Sequence, residues 1–372
     1  MQTPTADELL SGIRQWVEAE SKTSEADNVN RLVDIVAGGF TQAGAGVERI
    51  AGSGGYGDHL SIASPWGGAE PGILVLCHLD TVHAQGTLAR NPFRIDGDCA
   101  FGPGIYDMKG GAYLAFAAFR ALSQAGQATP LPLRFLYLAD EEVGSPTSRH
   151  LIEAAAAQSK YVLVTEPARD GGKVVTERKG LGRYVIIAHG RPAHSGARHQ
   201  QGRSAIREMA KQVVRLEEMT DYQRGLTVNV GLIEGGSTAN TVPQHCSAEV
   251  DIRYSTLADA EETHALMMKL SAFDPDVTVE VAGDINRPPY VQTPPGQALF
   301  EHAKQLASEI GFDLVATATG GGSDGNFTAQ HVATLDGLGV DGDGGHTLHE
   351  HLYISSLVPR FKLQLRLMQT LT

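Results

Sequence analysis

LRFLYLADEEVGS, residues 133–145, is an apolar run that ends in three consecutive carboxylates, Asp140, Glu141 and Glu142. A short continuous apolar run bounded by a turn is typical of a strand buried on both faces. Neighbouring negative charges repel one another and cost stability unless water or a cation surrounds them. The segment therefore predicts a buried strand, and it leaves two alternatives for the carboxylates: a solvated turn, or part of a cation site.

Two more apolar runs end in a similar way. Residues 72–77, GILVLC, lead into His78 and Asp80, and residues 160–165, KYVLVT, lead into Glu166. Segments with helical periodicity precede and separate these runs, at about residues 5–19, 28–43, 108–125 and 146–158. Apolar strands that alternate with helices are typical of an α/β fold with a mixed, mostly parallel sheet flanked by helices. Because ligands bind beyond the carboxyl ends of such strands, these acids and the histidine are candidates for one shared site.

The pattern changes between residues 179 and 287, where strands and helices follow in the order β-α-β-β-α-β. This order is typical of a split βαβ, ferredoxin-like α+β domain. The α/β pattern resumes afterwards, and a chain of 372 residues exceeds what one hydrophobic core normally organises. We therefore predict a discontinuous catalytic domain, residues 1–178 and 288–372, interrupted by an inserted domain, residues 179–287.

The overall composition restricts the classes of partner. A formal net charge of −13, without a long basic block, argues against nucleic acid and anionic membranes as main partners. The three cysteines are widely spaced and lack a C-x-x-C pair, so they predict no disulfide framework. Residues 1–25 show no secretion leader, and no apolar run reaches membrane length. The expected location is the cytoplasm, and the expected ligands are small cations and polar metabolites.

The spacing of the polar residues favours a metal site with hydrolytic chemistry. His78 and Asp80 are two positions apart, so on an extended chain their side chains point to the same side and the aspartate can orient the imidazole. Glu141 and Glu142 are adjacent and diverge, so one can bind a cation while the other acts as a general base. Asp107 lies in the glycine-rich turn GPGIYDMKGG, just before a helix. Because a divalent metal lowers the pKa of bound water from about 15.7 to about 7, amide hydrolysis is the natural reaction.

Several motifs, in order along nearly the whole chain, resemble the M20 di-zinc metallopeptidase family. That family includes glutamate carboxypeptidase, acetylornithine deacetylase, succinyl-diaminopimelate desuccinylase and aminoacylase. The motifs that carry the resemblance are HLDTV, GPGIYDMKGG, DEE, TEP, RPAHSG, ANTVPQ, TGGGSDGN and GGHTLHE.

The resemblance implies two Zn²⁺ ions bridged by Asp107 and a water or hydroxide. It implies the following further ligands: His78 and Glu166 at one ion, Glu142 and His346 at the other. Asp80 would orient His78, and Glu141 would be the base that later acts as an acid. Nitrogen and carboxylate ligands suit zinc, and such a site also accepts Co²⁺ or Mn²⁺.

The last ligand is ambiguous from spacing alone. The segment GGHTLHEHLYI contains His346, His349 and His351. In the family the ligand is followed directly by Thr or Ser and, four positions on, by Glu. His346 fits this pattern, with Thr347 and Glu350, and the other two histidines do not.

The inserted domain resembles the lid and dimerisation domain of the family, which implies a homodimer. His194 would reach the partner's active site and stabilise the developing oxyanion. Asn240 and Arg287 would hold a substrate carboxylate, a role that suits the two parallel hydrogen bonds a guanidinium can donate. Gly321, in TGGGSDGN, would form a backbone wall near the substrate.

The segments GGGSDGN and NRPPY are most similar to the glutamate carboxypeptidase branch. The resemblance therefore implies hydrolysis of an amide whose amine side carries a free carboxylate, in a C-terminal acidic residue or an N-acyl amino acid. The alternatives are a biosynthetic amidohydrolase of the deacetylase or desuccinylase type, and a catalytically silent homologue that binds metal or peptide. A nucleotide-binding enzyme fits poorly, because neither glycine-rich turn has the spacing of a phosphate-binding loop.

Overall fold

The computed structural model describes residues 3–372, which form two compact units. The first unit comprises residues 3–177, 292–319 and 323–372, and the second comprises residues 178–291 and 320–322. The α-helices are α1 (Ala6–Glu18), α2 (Ala26–Gln42), α3 (Thr87–Arg90), α4 (Gly110–Gln124), α5 (Arg149–Ala156), α6 (Ala205–Glu217), α7 (Leu257–Met267), α8 (Pro294–Ile310) and α9 (Ile354–Thr370). The strands are β1 (Gly46–Ile50), β2 (His59–Ala63), β3 (Gly72–His78), β4 (Arg94–Asp96), β5 (Cys99–Phe101), β6 (Leu133–Leu138), β7 (Ser159–Val164), β8 (Val174–Arg178), β9 (Gly180–His189), β10 (Thr227–Gly235), β11 (His245–Tyr254), β12 (Thr278–Arg287), β13 (Ala316–Thr319), β14 (Ala333–Leu335), β15 (Gly342–Asp343) and β16 (His351–Tyr353).

The first unit is built around a six-stranded sheet with the order β1-β2-β6-β3-β7-β14. The pairings of β3 with β6 and β7, and of β7 with β14, are parallel, whereas β1 and β2 form an antiparallel edge. Every residue of β3 is buried, as expected of a strand covered on both faces. The prediction of a mixed, mostly parallel sheet flanked by helices is therefore confirmed.

Aromatic packing fixes the helices against this sheet. Phe40 of α2 is fully buried, and its ring lies 4.9–5.5 Å from four others, measured between ring centroids. The four partners come from α4 and β6: Phe116, Phe119, Phe135 and Tyr137. One face of the sheet and two helices thus share a single hydrophobic core.

A small four-stranded sheet, with the order β15-β16-β5-β4, was not predicted. Its strands have two or three residues each, which is too short for a periodic pattern. In this sheet β16 pairs antiparallel with β5, with His351 opposite Phe101. The pairing brings the loop before β16 beside the turn after β5, although more than 200 positions separate them in the chain.

The second unit has the predicted β-α-β-β-α-β order. Its sheet, β10-β11-β9-β12, is antiparallel throughout. The buried side chains of β9 and β11 alternate with exposed ones, and helices α6 and α7 contribute Met209, Leu216, Ala260 and Met267 to the same core. This is the ferredoxin-like arrangement expected for the inserted segment.

Candidate metal centre

Two groups of potential metal ligands share Asp107. One group consists of His78, Asp107 and Glu166, and the other consists of Asp107, Glu142 and His346. Within each group every residue offers one ligand atom, and these atoms all lie within 4.8 Å of one another. All five residues belong to the first unit. His78 is the last residue of β3, Glu142 lies just beyond β6, and Glu166 lies just beyond β7. The five metal ligands predicted from the sequence are therefore neighbours.

The two oxygens of Asp107 face different groups. Oδ1 lies 3.3 Å from His78 Nε2, and Oδ2 lies 3.5 Å from His346 Nε2. The Asp107 side chain is 12% exposed. Burial alone would raise the pKa of this carboxyl, but hydrogen bonds with His346 and His78 outweigh it, so its pKa falls well below the ordinary value. Asp107 is therefore a negative charge at the point where the two groups meet.

His78 is buried and held in one orientation. Its Nε2 lies 3.5 Å from Glu166 Oε1, and its Nδ1 lies 2.9 Å from the main-chain oxygen of Asp80 and 3.4 Å from Asp80 Oδ1. The main-chain oxygen is thus the closer acceptor for the Nδ1–H group, where the sequence predicted the carboxylate. Burial lowers the pKa of His78, but hydrogen bonds to Asp107, Asp80 and Glu166 raise it further, and the net shift is well upward.

The Asp80 carboxylate instead organises the segment after β6. Its Oδ1 accepts the N–H of Glu141 at 3.2 Å, and its Oδ2 accepts the N–H of Glu142 at 3.2 Å and the hydroxyl of Thr23 at 2.7 Å. Asp80 is fully buried. It therefore connects the end of β3 to the short turn Glu141–Val143 that carries both glutamates.

Glu142 and His346 form the closest pair in the second group. Glu142 Oε2 lies 3.1 Å from His346 Nε2, whereas Glu142 Oε1 is buried and has no hydrogen-bond partner among residues 3–372. Burial raises the pKa of Glu142 to about 7, although the hydrogen bond from His346 opposes the shift. A buried carboxylate oxygen without a donor is costly, and a bound cation is a natural partner for it.

His346 has an uncommon backbone conformation and a raised pKa. Its φ is +67°, which is uncommon for a residue with a side chain, and such strain is concentrated at functional sites. Hydrogen bonds to Asp107 and then Glu142 raise its pKa to about 11, against the effect of burial. With two imidazoles and three buried or nearly buried carboxylates, the site has the nitrogen and oxygen ligands that zinc, cobalt and manganese accept.

Asp140 differs from the two glutamates that follow it. Its carboxylate is fully buried and accepts hydrogen bonds from the Thr147 N–H and hydroxyl, both at 2.7 Å, and from the Ser148 hydroxyl at 2.5 Å. It therefore ties the segment after β6 to the start of α5. The sequence placed Asp140 among three equivalent acids, and the hydroxyl-rich SPTS that follows was the signal for its structural role.

The other predicted site residues lie in the second unit. His194 is exposed, and its Nδ1 accepts the N–H groups of Gly196 and Ala197 at 3.2 and 3.1 Å, so the neutral ring carries its proton on Nε2. The exposed Asn240 is adjacent, because its main-chain oxygen accepts the N–H of Ser195 at 2.9 Å.

Arg287 and Gly321 occupy different environments within that unit. Arg287, the last residue of β12, is only 2% exposed, and its main-chain oxygen accepts the Tyr254 hydroxyl at 3.2 Å. Gly321 is exposed, and its main-chain oxygen accepts a hydrogen bond from Arg178 Nη1 at 3.2 Å. Their roles in binding substrate stay predictions.

The chain is similar to proteins of known class. The model of Peptidase family M20/M25/M40 matches residues 74–370. Carboxypeptidase G2 from Pseudomonas sp. (strain RS-16) is 29% identical over 374 residues, which cover 98% of this chain and 89% of the relative. No helix among residues 3–372 is both long enough and apolar enough to cross a membrane.

Solved structures share the fold. The M20 family metallo-carboxypeptidase Sso-CP2 from Sulfolobus solfataricus has a TM-score of 0.81 at 16% identity, covering 98% of this chain and 99% of the other. The aminopeptidase PepT from Bacillus cereus ATCC 10987 has a TM-score of 0.77 at 23% identity, covering 98% of both chains. At these identities the likeness concerns the fold alone.

Proposed function

Because the chain belongs to Peptidase family M20/M25/M40, a metal-dependent family, we propose that it is a two-zinc hydrolase. Its substrate is an amide whose amine side carries a free carboxylate, such as an N-acyl amino acid or a peptide with a C-terminal acidic residue. The observation that carries the proposal is the position of Asp107, whose two oxygens face two different groups of ligand side chains. A carboxylate in that position suits two cations better than one.

The five ligands would be distributed between the two ions. Asp107 would be shared, and the remaining ligands would be His78 and Glu166 for one ion and Glu142 and His346 for the other. When bound, the ions supply Lewis-acid chemistry, which polarises the amide carbonyl and lowers the pKa of water to about 7. Co²⁺ or Mn²⁺ could replace Zn²⁺ at such nitrogen and oxygen ligands.

Glu141 is assigned the proton transfers. It belongs to neither ligand group, and its N–H donates to Asp80 Oδ1 at 3.2 Å, which ties it to the segment that follows His78. We therefore assign its carboxylate to acid–base chemistry. It takes a proton from the attacking water and delivers it to the nitrogen of the leaving amine. This pair of transfers is what amide hydrolysis requires.

The second unit is assigned the recognition of the substrate. His194 presents an N–H donor, which suits an oxygen that gains negative charge in the transition state. Arg287 and Asn240 are assigned the substrate carboxylate, because a guanidinium fork and an amide both donate to carboxylate oxygens. Gly321 would contribute backbone to the wall of the site. The name of the similar carboxypeptidase G2 supports a substrate with a free carboxylate.

The second unit also supports the proposed homodimer. Four of its exposed aliphatic side chains lie on α6 and on the edge strand β10: Ile206 at 39% and Val214 at 58% on α6, and Leu232 at 62% and Ile233 at 56% on β10. Exposed apolar residues near an unpaired strand edge are typical of an interface. A second copy of the chain is the partner we assign to this surface, and sedimentation analysis of the parent and of a Val214→Glu variant tests it.

The decisive test combines metal analysis with one substitution. We expect the parent to lose turnover with a chelator and to regain it with Zn²⁺, Co²⁺ or Mn²⁺. Glu141→Gln should keep its metal and lose about 10²–10⁴-fold in kcat. Glu153→Gln, an exposed glutamate on α5, is the matched control and should keep the parent rate. A Glu141→Gln protein with full metal content and undiminished turnover would refute the mechanism.

The substrate class is tested with paired compounds. N-acyl amino acids and dipeptides are compared with the same compounds whose carboxylate is converted to an amide. The proposal predicts that hydrolysis requires the free carboxylate. Fast turnover only of N-acetyl or N-succinyl compounds would favour a biosynthetic deacylase, and no turnover by the metal-loaded protein would favour a silent homologue.

A further inference from the structure

Glu350 contacts the backbone around a proposed metal ligand without belonging to either ligand group. It lies four positions after His346 and is fully buried. Its Oε1 accepts the N–H groups of Tyr106 and Asp107, both at 2.9 Å, and its Oε2 accepts the N–H of Gly104 at 3.0 Å. A single carboxylate thus satisfies three backbone donors of the turn that presents Asp107.

That turn cannot satisfy these donors by itself. Gly104 has φ +70°, and Asp107 has φ −113° and ψ 97°, so the segment does not follow a regular helix in which each N–H would find a carbonyl one turn back. Buried backbone N–H groups without acceptors cost about 1–3 kcal/mol each. The Glu350 carboxylate removes this cost for a conformation that Asp107 needs in order to face two ligand groups.

Glu350 also connects three ligand-bearing segments. His83, five positions after His78, donates from Nε2 to Glu350 Oε2 at 2.5 Å. The main-chain oxygen of Glu350 accepts the N–H of Gly102 at 3.3 Å, where β16 begins to pair with β5. The segments that carry His78, Asp107 and His346 therefore converge on one side chain.

We propose that Glu350 is a positioning residue of the metal centre, which fixes the Asp107 turn and ties it to the segments of His78 and His346. This inference rests on the proposed function, since it assigns Glu350 a task only if the centre binds metal. Glu350 contributes no ligand atom and no proton transfer. Its effect passes through the placement of Asp107.

The substitution Glu350→Gln tests the proposal with little change in shape. An amide has only one acceptor oxygen. If that oxygen takes the place of Oε2, the hydrogen bonds from Tyr106 and Asp107 are lost. If it takes the place of Oε1, the NH₂ group faces the Gly104 N–H and His83. Either way the turn loses at least one acceptor. Outer partners of metal ligands typically contribute 10- to 100-fold to metal affinity, and we expect a loss in that range.

Glu208→Gln is the matched control. Glu208 is 2% exposed and accepts the N–H groups of Phe273 and Asp274 at 2.8 and 3.1 Å, but it belongs to the second unit. It therefore reports the general cost of neutralising a buried glutamate that binds backbone. We expect its Zn²⁺ affinity to stay at the parent value.

The experiment measures Zn²⁺ dissociation constants by competition with a chromophoric chelator, and the visible absorption of the Co²⁺-loaded proteins at saturating metal. Glu350→Gln should bind Zn²⁺ about 10- to 100-fold more weakly and change the Co²⁺ spectrum, because the ligand atoms move. Parent-like affinity and spectrum in a folded Glu350→Gln protein would overturn the inference. A parent protein that binds no metal would instead refute the proposed function.

A second variant covers the case in which Glu350→Gln does not fold. His83→Gln leaves the three backbone bonds of Glu350 in place and removes only the imidazole that fixes its Oε2. We expect a loss of Zn²⁺ affinity of about 10-fold, at the lower end of the range for such partners. Unchanged affinity and an unchanged Co²⁺ spectrum in this variant would count against the proposal.

Discussion

Replacing Asp80 with asparagine changes one side chain at the place where three segments of the metal centre meet. In the parent, Asp80 Oδ1 accepts the Glu141 N–H, and Oδ2 accepts the Glu142 N–H and the Thr23 hydroxyl. Oδ1 also lies 3.4 Å from His78 Nδ1. Asparagine keeps the size of the side chain but exchanges one acceptor oxygen for a donor group.

The structure limits what asparagine can retain. If its oxygen replaces Oδ2, the bonds from Thr23 and Glu142 survive, but the NH₂ group faces the Glu141 N–H and His78. If its oxygen replaces Oδ1, the Glu142 N–H loses its acceptor, while the Thr23 hydroxyl can turn and accept. In both orientations one backbone donor is left unpaired, which costs about 1–3 kcal/mol of the free energy of unfolding.

The same loss should reduce turnover. Glu141 and Glu142 are presented by the turn that Asp80 holds, and a displacement of the base by a fraction of an ångström costs rate because the proton transfer requires close contact. We expect kcat to fall about 10- to 100-fold at saturating metal, as is typical for partners that orient metal ligands. The Michaelis constant should change little, since Asp80 is not assigned to the substrate.

The assays are urea unfolding of the metal-free protein and steady-state hydrolysis at saturating metal. Asp98→Asn is the control, because Asp98 is exposed and accepts the N–H and hydroxyl of Ser355 at 2.8 and 2.6 Å. It should change the free energy of unfolding by no more than about 0.5 kcal/mol and leave kcat unchanged. If Asp80→Asn matches this control in both assays, Asp80 does not organise the centre.

Three further outcomes follow from titration and packing. His346, with its pKa raised to about 11, carries a proton in the metal-free protein at neutral pH, and the pKa of His78 is also shifted upward. Metal binding should therefore release protons and tighten as the pH rises, because the ligand nitrogens must be deprotonated. Calorimetry in buffers of different ionisation enthalpy measures this release, and buffer-independent heats would contradict it. Burial lowers the pKa of His59 below its ordinary 6.5, so the stability that its neutral ring contributes is present above that pH and is lost as the pH falls. His59→Gln should flatten the plot of the free energy of unfolding against pH in this acidic range. An unchanged plot would exclude the assignment. Phe40→Ala should lower the free energy of unfolding by about 3–5 kcal/mol. The control Phe273→Ala removes a ring that is 49% exposed and should lower it by no more than about 0.5 kcal/mol. Equal denaturation midpoints for the two variants would show that the rings around Phe40 do not form a rigid core.

The long elements were predictable because their patterns are complete within one segment. The three central strands are continuous apolar runs, and β3 was predicted at 72–77 and found at Gly72–His78. Strand β1 was missed, because GVERI is short and largely exposed at the edge of the sheet. Its place is decided by pairing with β2, which no local pattern encodes.

The ligand types were predictable for a related reason. Parallel strands place their carboxyl ends at one edge of a sheet, so His78, Glu142 and Glu166 had to be neighbours once β3, β6 and β7 were recognised. His346 could be chosen among three histidines only through the resemblance. The short β5–β16 pairing that carries it to Asp107 has no periodic signal.

The spacing of Asp80 from His78 indicated a supporting role, but Asp140 and Glu350 could not be told from ligands, because all of them are acids next to glycine-rich or hydroxyl-rich turns. Asp80, Asp140 and Glu350 each accept hydrogen bonds from the backbone of a neighbouring segment. Glu142, in contrast, has a buried oxygen that no donor in the described part of the chain reaches. An acid whose oxygens accept hydrogen bonds from backbone N–H and hydroxyl groups fixes the shape of the site, whereas the buried Oε1 of Glu142 is available to a cation. Sequence shows the residue type, but only the folded backbone determines which acids are already satisfied. The same hydrogen bonds offset part of the cost of burying Asp80, Asp140 and Glu350 close to the ligand carboxylates.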